Sequence, residues 1–259
     1  MSWRIRTARF LFRVSNLFES LPLMVMRPDD LVEFSRQMYA RPQNVAAWGS
    51  DDVVQQGLDP DEQEVLEKLP SMQGRLLLLD VGGGREAIPL AQAGFSVTGV
   101  DFVPEMIEQA KANAEKAGVR LEGLVQEISS LDVAPESYDV AWLWAAMYSC
   151  VPTRRRRLAM LKRIHGALRP GGYFLCQFQW GGGEPLGPRR ERLKRAFALL
   201  TRGNLTYEPG DMLYRNIEFI HGFRSEAELR AEFAVGGFKV EDVRIYRGNL
   251  RGDAVLRRV

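Results

Sequence analysis

The sequence predicts an α/β protein whose parallel sheet is wound with helices and closes in a C-terminal antiparallel hairpin. Three observations carry that prediction. From Arg75 onward, short apolar runs alternate with helical periods. The run Leu76-Leu77-Leu78-Leu79 has no polar break and ends in Asp80 and glycines, as a strand covered on both faces reads. The helical periods stop at Gly118, at Pro170-Gly171-Gly172 and at Gly236-Gly237, residues suited to helix C-termini.

After the leucine run, Ser96 to Asp101 reads as a second strand, and Leu121 to Gln126, Tyr138 to Ala145 and Gly172 to Phe178 continue the series. Pro104 suits a first helical turn, and Met106, Ala110, Ala114 and Ala117 share the apolar face behind it. Thr153 can cap a helix carrying Leu158, Leu161, Ile164 and Leu168. Ser225 with Glu228 forms a capping box before Leu229 and Phe233. Phe238 to Arg247 and Asp253 to Val259 read as the closing hairpin, joined by a turn from Gly248 to Gly252.

Two regions lie outside the alternation. Residues 1–70 read as a helical cap, and 71–259 as the main domain with an insertion at 181–224 expected to act as a lid. Within the cap, residues 3–21 pattern as a basic amphipathic helix, with Trp3, Phe10, Val14, Leu17 and Leu21 opposite Arg6, Arg9 and Arg13. Packing on the main domain is the expected use of that helix, and contact with a membrane surface is the alternative. The arginines interrupt the apolar residues rather than precede them, which disfavours a cleavable signal, and no apolar window is long enough to cross a membrane.

Length and composition bound the function. A chain of 259 residues, 46% hydrophobic, can bury a large core, so disorder is excluded. The 35 basic against 33 acidic residues leave +2 of formal charge, too little for a protein that coats nucleic acid. Two cysteines, Cys150 and Cys176, supply neither a disulfide framework nor a structural zinc site, so no metal and a cytoplasmic setting are expected.

The chemistry concentrates in Asp80-Val81-Gly82-Gly83-Gly84-Arg85-Glu86-Ala87, between a strand and a helix, with Asp101 ending the next strand. Glycines admit close backbone approach, and a carboxylate at the second strand's tip can accept hydrogen bonds from vicinal ribose hydroxyls. The order describes a nucleoside-cofactor site. Gly82-x-Gly84-x-x-Ala87 also satisfies a dinucleotide fingerprint, with Asp101 19 positions beyond Gly82, which leaves an NAD-dependent oxidoreductase open. Asp80 argues against it, because a carboxylate there suits a cationic cofactor end better than a pyrophosphate.

The run from Leu78 to Asp101 resembles the first motifs of class I S-adenosylmethionine-dependent methyltransferases. Pro104-Glu105-Met106-Ile107, Ser137-Tyr138-Asp139-Val140 and Leu168-Arg169-Pro170-Gly171-Gly172-Tyr173 follow in that family's order, so the resemblance covers roughly residues 74 to 180. It implies a Rossmann-like seven-stranded methyltransferase sheet and S-adenosylmethionine as cofactor, with methyl transfer to a small-molecule acceptor. Carried over residue by residue, it implies that Asp80, Gly82 and Gly84 line the methionine portion and that Asp101 holds the ribose. By the same resemblance Phe102, Glu127 and Ile128 lie near the adenine, while Trp144 borders methyl donor and acceptor. The family usually reads Asp-x-Gly-x-Gly-x-Gly, whereas here Arg85 and Glu86 follow Gly84, which keeps a non-catalytic binding protein as a further alternative.

Catalytic residues are hard to read for a displacement that rests on positioning. His221, just before a capped helix, and Tyr148, just past the fourth strand, are the first candidates for a base or substrate ligand. Tyr39, Trp180, Glu184, Tyr207 and Asp211 are secondary pocket candidates, and Arg154 to Arg157 reads as a solvated helix face.

Overall fold

The computed structural model describes residues 3, 5–7, 21–181, 188–214 and 218–259. Most of the amphipathic pattern at 3–21 therefore lies outside the described residues, as does Glu184. Among the described residues no helix is long and apolar enough to cross a membrane.

Ahead of the sheet, the described residues include the helices α1 (Pro28–Tyr39), α2 (Pro42–Trp48), α3 (Asp51–Val54) and α4 (Pro60–Leu66). Proline opens α1, α2 and α4, where its missing N–H would have had no helical partner. The strands and helices that follow are β1 (Gly74–Leu79), α5 (Ala87–Gln92), β2 (Phe95–Asp101), α6 (Pro104–Lys116), β3 (Leu121–Val125), β4 (Tyr138–Leu143) and α7 (Arg154–Ala167). The chain ends with β5 (Leu168–Gln179), α8 (Pro188–Thr201), β6 (Asp211–Tyr214), β7 (Glu218–His221), α9 (Glu226–Val235), β8 (Phe238–Tyr246) and β9 (Arg251–Arg258).

Seven strands form one sheet in the order β3-β2-β1-β4-β5-β9-β8, and β6 with β7 forms a separate antiparallel pair. The first five are parallel; β9 and β8 run antiparallel, as the closing hairpin requires. The strand order reverses between β1 and β4, and a crevice opens beyond the carboxyl ends of strands at such a point.

The leucine run explains how both faces are filled. Side chains alternate along a strand, so Leu77 and Leu79 enter one core with Leu161, Ile164, Leu229 and Phe233 of α7 and α9. Leu76 and Leu78 enter the other, with Leu66, Leu90 and Ile107 of α4, α5 and α6. Each fully buried side chain of this kind contributes about 1.5–3 kcal/mol. The Pro170-Gly171-Gly172 stop belongs to β5 itself: the strand starts at Leu168, and a bulge opposite Tyr138 absorbs the extra residues.

A third, smaller core joins the cap to the insertion, with Leu23, Met24 and Leu31 against Ala198 of α8 and Phe219 of β7. The two-stranded β6-β7 sheet was not anticipated from the insertion's sequence. β7 packs against α1 and against the short 3₁₀ turn Met147–Cys150 that follows β4.

The arginine run differs from the expected solvated face. Thr153 caps α7 as its sequence implied, accepting from the Arg156 amide. Arg157 turns inward to 2% exposure, donating to Glu232 at 2.7 Å and to Glu208 at 3.0 Å, and Arg156 pairs with Asp29 of α1. The Tyr148 hydroxyl donates to the same Glu232 oxygen at 2.7 Å. Glu232→Ala would leave the buried Arg157 guanidinium with Glu208 as its remaining carboxylate partner, and urea denaturation is expected to show a loss of about 3 kcal/mol. Tyr148→Phe, which removes one hydrogen bond, is expected to cost about 1 kcal/mol.

Candidate active site

A pocket opens at the carboxyl edge of β1, β2 and β4. Asp80, Asp101, Phe102, Glu127 and Ile128 line it, so the structure brings together five of the residues expected at the cofactor. The cap and the insertion supply the rest of the wall through Tyr39 of α1 and Glu218 of β7, with Met147 and Cys150 of the 3₁₀ turn.

The backbone is strained where the ligand would lie. Asp80 has φ +65°, and Ala145 and Ala146, just past β4, have φ +50° and +61°. Non-glycine residues in this region cost free energy and cluster at functional sites. The left-handed turn at Asp80 lets the chain reverse over the sheet edge, so that the Gly82 amide donates to Asp101 Oδ2 at 3.1 Å. Asp101 Oδ1 accepts from the Val103 amide at 2.9 Å. The carboxylate is thereby held at the tip of β2, and each oxygen keeps acceptor capacity for a ligand hydroxyl.

Gly83 and Arg85 account for the departure from the expected loop. The following helix, α5, begins at Ala87. A Cβ on Gly83 would collide with the Trp48 carbonyl, so this glycine admits the cap rather than a cofactor. Arg85 reaches into the cap as well, donating to both oxygens of the fully buried Glu62 at 2.8 and 2.6 Å and to the Gly57 carbonyl at 2.7 Å. Asn113 of α6 donates to the carbonyls of Gly49 and Gly83 at 3.0 and 2.9 Å, tying the same two layers together.

The pocket's electrostatics are one-sided. Asp80, Asp101, Glu127 and Glu218 line it, and among the described residues no Lys, Arg or His does. Burial pushes the Asp101 carboxyl up to about 6. Asp80 is pushed well above the usual range by burial first and then by the carboxylates of Asp101, Glu86 and Glu218. Glu86, behind the loop, rises to about 7, chiefly through burial. Buried carboxylates without a counter-ion stabilise a cationic ligand.

Glu127 is committed locally as well as lining the pocket: its two oxygens accept from the amide and hydroxyl of Ser129 at 2.9 and 2.6 Å. Gly82 and Gly84 shape the loop with φ +50° and +96° without lining the pocket. Trp144 stacks on Trp142 at 4.7 Å within the core and lies outside the pocket wall.

The two residues favoured for chemistry are not brought to the pocket. Tyr148 is fully buried, its ring against Phe223 and Phe233 and its hydroxyl on Glu232. In the 3₁₀ turn Met147 and Cys150 take the pocket side, and Tyr148 joins the core. His221 pairs through Nδ1 with Asp211 at 2.7 Å, and Glu208 lies at 3.8 Å. Those three residues cluster closely, but Glu208 is already engaged by Arg157. Sequence reasoning ranked Tyr39 low and missed Glu218 entirely, because 179 positions separate two groups that meet only in the fold.

Residues 77–172 match the family described as a methyltransferase domain. The chain is 37% identical over 109 residues to a ubiquinone biosynthesis O-methyltransferase of Methylobacterium sp. (strain 4-46), covering 41% of this chain and 42% of that protein. A Rickettsia conorii protein of the same description is 42% identical over 76 residues, covering 29% of this chain and 26% of the relative. The matched segments span less than half the length of these curated relatives. A SAM-dependent methyltransferase of Methanosarcina mazei superposes with a TM-score of 0.60 at 24% identity, over 78% of this chain and 99% of the other. One from Clostridium acetobutylicum gives 0.59 at 12% identity, over 84% and 99%. These superpositions establish the fold.

The acidic pocket gives a stability signature opposite to ordinary acid denaturation. Asp101 and Glu86 bind protons more tightly folded than unfolded, so their contribution falls as pH rises from about 4 toward 7. The unliganded protein is expected to lose on the order of 3 kcal/mol from this source between about pH 5 and 7.5. Asp101→Asn should lessen the change without removing the part carried by Glu86, read as denaturation midpoints at the two pH values.

Proposed function

We propose that the protein, whose residues 77–172 match a methyltransferase domain, transfers a methyl group from S-adenosylmethionine to a small-molecule acceptor, at oxygen in the first instance. The observation that supports this most directly is the pocket itself: carboxylates converge on it at the reversal point of the sheet with no cationic side chain among the described residues. A sulfonium and an ammonium suit that environment, whereas the pyrophosphate of a dinucleotide would meet only like charge. The oxidoreductase reading therefore finds no support. A non-catalytic role finds none either, because the departure at Arg85 is taken up by the cap and leaves the pocket open.

In this reading Asp101 accepts the ribose hydroxyls, Phe102 and Ile128 flank the adenine, and Asp80 faces the cationic end. The bound cofactor supplies an activated methyl group. The protein's own part is to position the acceptor and keep water out, for which Met147, Val151 and Pro152 give an apolar wall. Oxygen is named because the curated relatives are described as O-methyltransferases. The cap and the β6-β7 insertion, which contribute Tyr39 and Glu218, set the choice of acceptor.

Calorimetry with S-adenosylmethionine tests this reading. The native protein is expected to bind it and to bind NAD without detectable heat. Asp101→Ala is expected to weaken the nucleoside by about 1–3 kcal/mol through loss of charge-assisted hydrogen bonds. Equal affinity in the variant would remove Asp101 from the site.

A further inference from the structure

Among the described residues Glu218 is the one carboxylate that the insertion brings to the pocket, and its two oxygens are not equivalent. Oε2 accepts from the Tyr39 hydroxyl at 2.8 Å and from the Cys150 thiol at 3.7 Å. Oε1 accepts no hydrogen bond from the described residues. Tyr39 comes from α1, Cys150 from the 3₁₀ turn after β4, and Glu218 from β7, so three separate elements fix one carboxylate against the cavity. Resting on the methyltransferase reading above, we propose that Glu218 receives the proton of the acceptor, and that the acceptor carries an uncharged hydroxyl rather than a carboxylate or phosphate.

The neighbours suit that role. Burial, before any charge effect, raises the Glu218 carboxyl above its ordinary range, which strengthens it as a base. Tyr39 is raised too, first by burial and then by Glu218, so it stays a hydroxyl donor that orients the carboxylate. Cys150 is likewise raised, by burial and then by Glu218 and Asp80. It stays a thiol, and the most nucleophilic atom lining the pocket is thereby kept from competing for the methyl group. With Asp80 matched to the cofactor's cationic end, an anionic acceptor would face Glu218, and among the described residues no cationic side chain lines the pocket to offset that repulsion.

The step balances without a further reactant. The acceptor oxygen's lone pair forms the bond to the methyl carbon, and the carbon–sulfur bond breaks with its electron pair passing to sulfur, leaving a neutral thioether. The acceptor's proton goes to Glu218 Oε1 and from there to solvent after product leaves.

The test uses the full chain with S-adenosylhomocysteine, catechol as a hydroxyl probe and benzoate as its anionic counterpart. Calorimetry on native protein and Glu218→Gln is expected to give nucleoside affinities within about twofold, since Asp101 holds the ribose. Titration of the loaded protein by NMR should show catechol bound, benzoate not bound, and catechol affinity about tenfold lower in E218Q. With methyl-labelled S-adenosylmethionine and catechol, kcat of E218Q should fall on the order of 10²–10⁴-fold and lose the acid limb of its pH profile. Tyr39→Phe should shift that limb rather than abolish it, the behaviour of a positioning residue. Benzoate bound as well as catechol, catechol neither bound nor methylated by native protein, or E218Q with unchanged affinity and an unchanged limb overturns the assignment. Failure of native protein to bind the nucleoside would instead overturn the methyltransferase reading on which it rests.

Discussion

Carboxylates buried without a countercharge are the constraint around which the site is built. Asp80 and Asp101 end neighbouring parallel strands, and the strand spacing brings their acids together at the sheet edge. Left alone, such groups resist ionisation. The left-handed turn at Asp80 and the amides of Gly82 and Val103 hold them in place against that cost, which is offset only when a cation enters. Strand order, loop geometry and charge thus select the same kind of ligand.

The second dependency is the fastening of the cap. A guanidinium at Arg85, next to Glu86 where a further glycine is expected, would obstruct a nucleoside loop if it turned inward. Arg85 instead meets Glu62, and the pair is bidentate and shielded from water. Breaking such a pair on one side leaves an uncompensated charge, so the cap and the loop behave as a single unit. Tyr39, at the end of α1, is brought over the pocket by that union and meets β7 from the insertion.

What could be read from sequence was what is local. The leucine run specified a two-faced strand because its alternation needs no knowledge of neighbours, and Asp101 could be placed by counting from Gly82. Thr153 caps as its spacing implied, and Ser225 accepts from the Glu228 amide, one half of the expected capping box. Tyr148 was misleading because one step along a 3₁₀ turn decides between pocket and core, and no periodicity marks that step. Arg157 looked like a surface charge because its partners, Glu208 and Glu232, lie 51 and 75 positions away. Glu218 carried no signal at all: it sits in an insertion whose two strands are too short for their pattern to stand out.

Asn113 gives the arrangement a further consequence. One side-chain amide spans the carbonyls of Gly49 and Gly83, using both hydrogens, so the cap's inner loop and the glycine loop are measured against the same rigid helix. A shift of either loop breaks a bond that the core has no water to replace. The glycine triplet is therefore held from two sides, by Asp101 through the Gly82 amide and by the Trp48 backbone against Gly83. Drift in the amino-terminal third of the chain is restrained by a helix from its middle, although the two share no catalytic task.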